Sequence, residues 1–399
     1  MSYFHWIAGG SLGLAWIWRL VDAAMGVPKI ADISEPRWDR RPPGNPRVSI
    51  IVPAHNEESQ IEAKLINLLE LHYPSDRVEI LVGDDGSSDS TGEIIRRFAR
   101  RGIRLVSFPQ QRGKSAIHNA LVAPASKEIL LFTDADCFSA SDSLQFAVEH
   151  FCDQRVGLVT ASPRYANEIQ TPVAQNESLY LRYETWLRHL ESERGLLAMA
   201  SGSFFVMRRS LWNPLPPDMG DDFVFPLRVA RAGMLIRLDQ RLSVLTHLSQ
   251  SDSKSMLKLK SRIIGKDFRA LLSQRPLLNP IRRGSLAIAL WSHKLLRWLA
   301  PYFLIALLLS NIGLLGRPAF TIFFALQAGF YAVAVAGFIS PRFSRCTACS
   351  LPMSFCLVNF ASLLGTLAIL SRSGTGKWNP HRTPPHDYAC PTALSGEHK

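Results

Sequence analysis

Between residues 48 and 132 the chain switches repeatedly between two hydrophobic periods. Short β-branched or apolar runs, Val48-Ser49-Ile50-Ile51-Val52-Pro53, Glu79–Gly83, Arg104–Ser107 and Ile129–Phe132, read as strands. Helical spacing fills the gaps. Ala54–Glu58 opens a helix whose apolar face is Ile61, Leu65, Leu68 and Leu69, and further helices cover Gly92–Ala99 and Ala116–Val122. Such alternation predicts a parallel sheet with right-handed crossovers, hence an α/β fold. From 140 to 285 the pattern is more mixed. Strands are expected at Gly157–Thr160 and Phe204–Met207, a long helix over 175–199, and a helix over Val224–Ala232.

The ends of the chain are apolar. Residues 4–21 form an apolar run interrupted by His5 and Arg19, which predicts an uncleaved N-terminal anchor within 1–26. Residues 27–47 read as a Pro/Arg-rich linker, with Arg37, Arg40 and Arg41 marking a cytoplasmic side. After Trp291–Trp298, an interfacial mixture of aromatics and cations, come apolar stretches of spanning length near 299–315, 318–339 and 351–370. The expected division is 1–26 anchor, 27–47 linker, 48–285 catalytic-type domain, 286–371 interfacial and transmembrane helices, and 372–399 basic tail. The positive loop Pro341–Arg345 and the basic tail flank the third stretch, so three simple crossings cannot place both in the cytoplasm.

Charge sharpens this picture. Lys+Arg number 45 and Asp+Glu 33, a net charge of +12 that implies an anionic partner. No basic stripe interleaved with aromatics occurs in the middle region, which excludes nucleic acid and assigns the charge to a membrane face. The six cysteines are scattered, and the Cys346/Cys349 pair lacks a second pair or histidines at ligand spacing. All six are expected to be reduced and structurally bland.

The candidate chemistry gathers where strands end. Ile129–Phe132 runs into Asp134-Ala135-Asp136, and in an open α/β sheet ligands collect at the carboxyl ends of strands. Two acids there repel unless a cation shares the load. A hard Mg²⁺ or Mn²⁺ takes one or two carboxylates plus phosphate oxygens, so the stretch predicts a metal held against a diphosphate. Gly113-Lys114 lies near a helix start, where amides and a cation can meet phosphate. Carboxylates also close the second strand (Asp84-Asp85-Gly86-Ser87) and precede a helix (Gly220-Asp221-Asp222).

Taken together, Val48–Glu57 (VSIIVPAHNE), Asp84–Ser87, Gly113-Lys114, Asp134-Ala135-Asp136 and Gly220-Asp221-Asp222 resemble the family 2 glycosyltransferases, over roughly residues 48–270. The resemblance implies a GT-A fold, a doubly wound and mostly parallel sheet, and a nucleotide-sugar donor. The membrane layout resembles the polysaccharide-synthase and lipid-glycosylating branches. By resemblance Pro53, Ala54 and Glu57 hold uracil and ribose. Asp85 accepts from the uracil imide with Asp84 in support, Lys114 meets phosphate, Asp134 lies near the ribose and Asp136 carries the metal. Asp222, with Asp221 before it, is the expected general base of an inverting transfer. His55 stands where the family usually has tyrosine, and is expected to pack at a helix start. The processive Gln-x-x-Arg-Trp motif is replaced by Lys258–Gly265, in which Arg262 can still contact the diphosphate, so addition of one or a few sugars is favoured over long-chain synthesis. The expected partners are a nucleotide (UDP) sugar, a lipid-linked or glycan acceptor and the membrane. The expected location is a multi-pass cell or inner membrane protein with its catalytic domain cytoplasmic. Two rival readings are a nucleotidyltransferase, which would carry a glycine-rich loop after the first strand, and a non-catalytic partner of a synthase complex.

Overall fold

The structure, a computed structural model, describes residues 45–165, 172–217, 219–246, 253–340, 343 and 347–370. The predicted N-terminal anchor, nearly all of the linker, most of the Pro341–Arg345 loop, and the basic tail lie outside the described residues.

Eight strands form one mixed sheet in the order β3-β2-β1-β4-β7-β6-β8-β5. The first four are β1 (Val48–Ala54), β2 (Val78–Asp85), β3 (Ile103–Phe108) and β4 (Ile129–Phe132). They pair in parallel and are joined by α1 (Ile61–Leu69), α2 (Thr91–Arg97) and α3 (Lys114–Val122). Helices cover both faces of β1, which is why its sequence is an unbroken apolar run. Ile50 and Val52 pack with Ile61, Leu65 and Leu68 of α1, whereas Ile51 packs with Ile117 and Leu121 of α3. The first helical residues of α1 begin at Ile61, later than expected, because Ala54 still pairs with Asp84 and Asn56 takes a left-handed φ of 55°.

The second half reverses direction. β5 (Phe138–Ser139) leads to α4 (Ser143–Glu149), β6 (Val156–Tyr165), α5 (Pro172–Glu193), β7 (Phe205–Arg208), α6 (Asp221–Arg231) and β8 (Leu235–Thr246). β7 runs antiparallel to both β4 and β6, and β5 antiparallel to β8, while β6 pairs in parallel with β8, so the sheet is parallel throughout its first half and mixed in its second. The reversal is what matters for the site: it brings the loop before β7 alongside the carboxyl end of β4. The expected helix over 175–199 stops early, at Glu193, because Gly195 turns into the left-handed region (φ 67°). In β8 the charged residues Arg237, Asp239 and Arg241 stand at every second position, alternating with Ile236, Leu238 and Leu242. Their partners are both local and distant in sequence. Asp239 accepts from His150 (2.8 Å) and Arg241 (2.7 Å), and Arg237 donates to Ser192 O (2.8 Å).

Four long helices complete the chain: α7 (Ser253–Ser273), α8 (Ser285–Gly313), α9 (Pro318–Ile339) and α10 (Thr347–Leu370). Spans Ser285–Gly313, Pro318–Ile339 and Cys349–Ile369 are long and apolar enough to cross a membrane. α8 starts earlier than the predicted stretch and absorbs Trp291–Leu295 as a π-helical turn. The cations in and just after that turn reach back to α5. Lys294 and Arg297 pair with Glu184 of α5 at 3.2 and 3.0 Å, and His293 pairs with Glu191. These contacts fasten α8 to the sheet domain.

α10 meets α7 at a crossing of two glycines. A Cβ on Gly365 would sit 2.6 Å from Ser261 O and 3.1 Å from Gly265 N, and one on Gly265 would sit 3.2 Å from Gly365 O. Small residues permit such close backbone approach. Gly365→Leu should therefore force the helices apart at an overpacking cost of about 1–3 kcal/mol, read as a lower unfolding midpoint of the full chain in detergent; an unchanged midpoint would mean that the helices do not meet there.

Candidate active site

The site begins with α3, which presents Lys114 and His118 one turn apart on one face. Its start is pinned from two directions. Asp85, at the end of β2 and fully buried, accepts from the backbone N–H groups of Arg112 (2.6 Å) and Gly113 (2.9 Å). Ser115 and Asn119 hold the loop before α6 by donating to Met219 O and Leu215 O, each at 2.9 Å. Lys114 Nζ then lies 2.7 Å from Asp134 Oδ1 and 3.4 Å from Asp221 Oδ1. The strand-end acids Asp85 and Asp134 are thereby linked through one short segment.

Asp134 and Asp136 occupy the turn after β4. Thr133 anchors it by donating to Ser203 O at 2.8 Å, a contact created by the antiparallel β4–β7 pairing. Beneath the turn lies Lys64, fully buried, donating to Thr133 Oγ1 (2.8 Å) and to Cys137 O. Burial pulls its ammonium down to about 8, against the opposing pull of Cys137, Asp134 and Asp136, so it remains cationic at neutral pH. No motif pointed to this lysine. The usable signal was its place in an apolar stripe, for Ile61, Lys64, Leu65 and Leu68 are all buried.

α6 opens with Asp221 and Asp222 in its first turn. Asp222 O accepts from Ala200 N at 2.8 Å, drawing the 200–203 loop beside the helix start. Gly202 in that loop leaves an opening: a Cβ there would be 3.7 Å from Asp134 Oδ2 and 3.8 Å from Asp222 Oδ2. Asp134 and Asp222 therefore face one small space. A third acid, Asp267 of α7, borders it. The Cβ position of Gly220 is 2.7 Å from Asp222 Oδ1 and 3.6 Å from Asp267 Oδ1. Asp267 was not anticipated from sequence; it too sits in an apolar stripe, with Ile264, Phe268 and Leu271.

The electrostatics follow from crowding acids with few cations. Burial and then the neighbouring Asp221 push Asp222 up to about 6. Burial raises Asp134 to about 6 as well, with Lys114 pulling down and Asp136 and Asp221 pushing up. Burial also opposes ionisation of Asp221, but Lys114 and His118 outweigh it and hold the carboxyl below its usual range. Asp267 is driven well above the usual range by burial and by Asp222, so this neutral acid borders an ionisable one. Burial lowers Lys114's basicity, yet Asp134 and Asp221 together keep it charged. His118, fully buried with Nδ1 3.6 Å from Asp221 Oδ2, is pushed by burial to about 4 and is neutral.

The other predicted residues are placed as follows. Pro53 and Ala54 end β1, buried against β2. Glu57 is buried, bonded by Gln60 Nε2 and pushed by burial to about 8, so it is a proton donor at neutral pH. Asp84 accepts from Ser87 N (3.0 Å) and Ser107 Oγ (3.2 Å), a turn-stabilising role. His55 is buried, with Nδ1 2.8 Å from Asp85 O. Arg262 lies on α7, five residues before Asp267; burial lowers its basicity, and no described carboxylate contributes.

The described residues offer a fit for a divalent ion at Asp134, Asp136 and Cys137, whose candidate ligand atoms lie within 4.8 Å of one another. Cys137 is thus not bland, since its Sγ is 3.2 Å from Asp136 Oδ1. Burial and the flanking carboxylates keep this thiol protonated, which disfavours a thiophilic metal. Two carboxylates, Asp136 and an Asp134 that also pairs with Lys114, suit the hard ions Mg²⁺ or Mn²⁺.

The fold is GT-A-like. The structure is similar to the mannosyltransferase PcManGT from Pyrobaculum calidifontis, solved with GDP-Man and Mn²⁺, with a TM-score of 0.61 and 23% identity, over 88% of this chain and 97% of that one. Residues 49–213 match the Glycosyl transferase family 2 model. Among curated relatives, a probable glycosyltransferase, YdaM, of Bacillus subtilis is 29% identical over 217 residues, 51% of each chain. A beta-monoglucosyldiacylglycerol synthase of Trichormus variabilis is 31% identical over 178 residues, 42% of this chain and 38% of that one. A poly-beta-1,6-N-acetyl-D-glucosamine synthase of Staphylococcus epidermidis is 28% identical over 165 residues, 41% of this chain and 40% of that one. The matches thus span about half, or less, of the length of these relatives.

Proposed function

We propose that the chain is a multi-pass membrane glycosyltransferase, its domain 48–285 cytoplasmic and its residues 286–371 in and at the membrane. It transfers a sugar, with inversion, from a nucleotide sugar, most simply a UDP-sugar, to a lipid or membrane-associated glycan acceptor. The observation that carries this reading is the shared space beside Gly202, faced by Asp134 and Asp222 and bordered by Lys114, Asp221 and Asp267. The family model and the names of the relatives support it.

In this mechanism the acceptor hydroxyl donates its proton to the Asp222 carboxylate as its oxygen attacks the anomeric carbon. The bond from that carbon to the diphosphate breaks on the opposite side, through an oxocarbenium-like transition state. Attack from one face with departure from the other inverts the centre. Lys114 supplies a fixed cation close to the departing diphosphate. Asp85 contributes by fixing the Arg112–Gly113 amides that start α3, and in the family-derived reading it also meets the base. Asp136, with Asp134, would hold the divalent ion, which supplies Lewis-acid neutralisation of the leaving diphosphate. Lys64 fixes the turn that bears both acids.

A UDP-release screen over nucleotide sugars, with membranes as acceptor source and Mn²⁺ or Mg²⁺ present, tests this. Release should be strongly stimulated by acceptor and rise with pH through about 6, because Asp222 accepts a proton only when ionised and its carboxyl ionises near that value. Above about 8 the rate should fall as Glu57 loses its proton and adds negative charge near the donor site. No UDP release with any donor would favour the non-catalytic partner. Pyrophosphate release from a nucleoside triphosphate would favour the nucleotidyltransferase.

A further inference from the structure

The three apolar helices leave a crevice of about 340 Å³ between them, partly open to their surroundings. α8 contributes Pro301 and Ile305, α9 contributes Tyr331 and Phe338, and α10 contributes Asn359 and Leu363. Its few polar groups are already engaged: Asn359 donates to Phe355 O (2.9 Å), and Tyr331 OH accepts from Gln327 (3.2 Å). The crevice thus offers a mostly apolar wall with few polar groups.

Two helices lead from the crevice to the acids. On α8, Trp298 lies one turn before Pro301, a rise of about 4.5 Å. Its ring meets Phe223 (centroids 6.1 Å apart) and Phe268 (5.8 Å), the residues immediately following Asp222 and Asp267. On α10, Leu363 precedes Gly365 by two residues, about 3 Å. Gly365 is in backbone contact with α7 at Gly265, two residues before Asp267. Tyr302 and Thr366 tie α8 to α10 at the same level, at 2.8 Å. The end of the crevice at Pro301 and Leu363 therefore lies about one helical turn from the contacts that position both carboxylates.

We propose that this crevice binds one hydrocarbon chain of a lipid acceptor, so that the hydroxyl-bearing head group emerges beside Asp222 and Asp267. The proposal rests on the transferase reading and narrows it: the acceptor is an individual membrane lipid, gripped by its tail as well as by its head. Burial of each methylene in an apolar wall is favourable, and the wall adjoins the catalytic acids, so tail binding aligns the hydroxyl with its base.

The test uses the purified full chain in phosphatidylcholine nanodiscs, with a diacylglycerol that carries a diazirine in one acyl chain. Photolabelling should fall on the α10 segment containing Asn359 and Leu363, be displaced by unlabelled dioleoylglycerol, and drop about tenfold in Leu363→Trp, roughly the worth of two lost methylene contacts. Leu367→Trp, an exposed position on the same helix, should label as the unaltered chain does. The same Leu363→Trp variant should raise the acceptor KM by about tenfold while slow donor hydrolysis without acceptor is unchanged. Equal labelling by a diazirine phosphatidylcholine, without displacement by dioleoylglycerol, would mean that bulk lipid alone fills the crevice and would overturn the proposal. Absence of label, the outcome if a protein segment fills it, would overturn it too. If no UDP is released by any variant, the transferase reading fails, but the labelling still decides whether the crevice holds the lipid.

Discussion

Asp222→Asn is expected to lower sugar transfer by about 10²–10⁴-fold, the usual contribution of a positioned general base, with donor binding retained. The amide keeps the shape of the side chain but cannot take the acceptor's proton. Asp222 is the site acid whose position and ionisation both suit that task. It faces the space beside Gly202, and burial with Asp221 holds its carboxyl at about 6, close enough to neutrality for efficient exchange. Asp221 is excluded from the role by its engagement with Lys114 at 3.4 Å. Asp267 is excluded because burial and Asp222 keep it protonated. The measurement is UDP release with acceptor present, together with calorimetric titration of UDP. Transfer within about tenfold of the unaltered chain would remove Asp222 from the base role.

Asp136→Ala should have an effect as large, through a different step. Asp134 is committed to Lys114 at 2.7 Å, and the Cys137 thiol stays protonated. That leaves Asp136 as the carboxylate best able to hold an ion against a diphosphate. Charge stabilisation by a bound metal is worth several kcal/mol, and each ~1.4 kcal/mol is a tenfold change in rate. Transfer should fall below about one-hundredth of the unaltered rate, and UDP affinity should cease to depend on Mn²⁺. Asp222→Asn by contrast keeps its metal dependence, so the two variants separate donor binding from proton transfer.

The first half of the fold was legible because the inner strands β1 and β4 are buried and read as short, mostly apolar runs between helical stretches. The acids at 134, 136, 221 and 222 were legible because they follow or precede such runs. What escaped were charged residues whose compensation comes from far along the chain. β8 carries Arg237, Asp239 and Arg241, which bond to Ser192, His150 and Glu149 far along the chain, and the local pattern does not show those partners. Lys64 and Asp267 each interrupt the apolar stripe of a helix, three residues after an isoleucine. Such a charge resembles noise in a periodic pattern, yet here the two mark a lysine buried beneath the metal-type turn and an acid beside the proposed base. In the segment Trp291–Trp298, Lys294 and Arg297 pair with Glu184 on α5, partners that the local sequence does not show.

The carboxylate that closes β4 is held to grip a divalent ion together with a nucleoside diphosphate, and Mn²⁺ electron paramagnetic resonance on the purified full chain reads this without any turnover. Relative to the same Mn²⁺ and UDP mixture without protein, the signal of free Mn²⁺ should shrink further with the unaltered chain and with Asp222→Asn alike, and should show no further loss with Asp136→Ala. Loss of signal in Asp136→Ala equal to that of the unaltered chain, or no further loss with the unaltered chain, would contradict it.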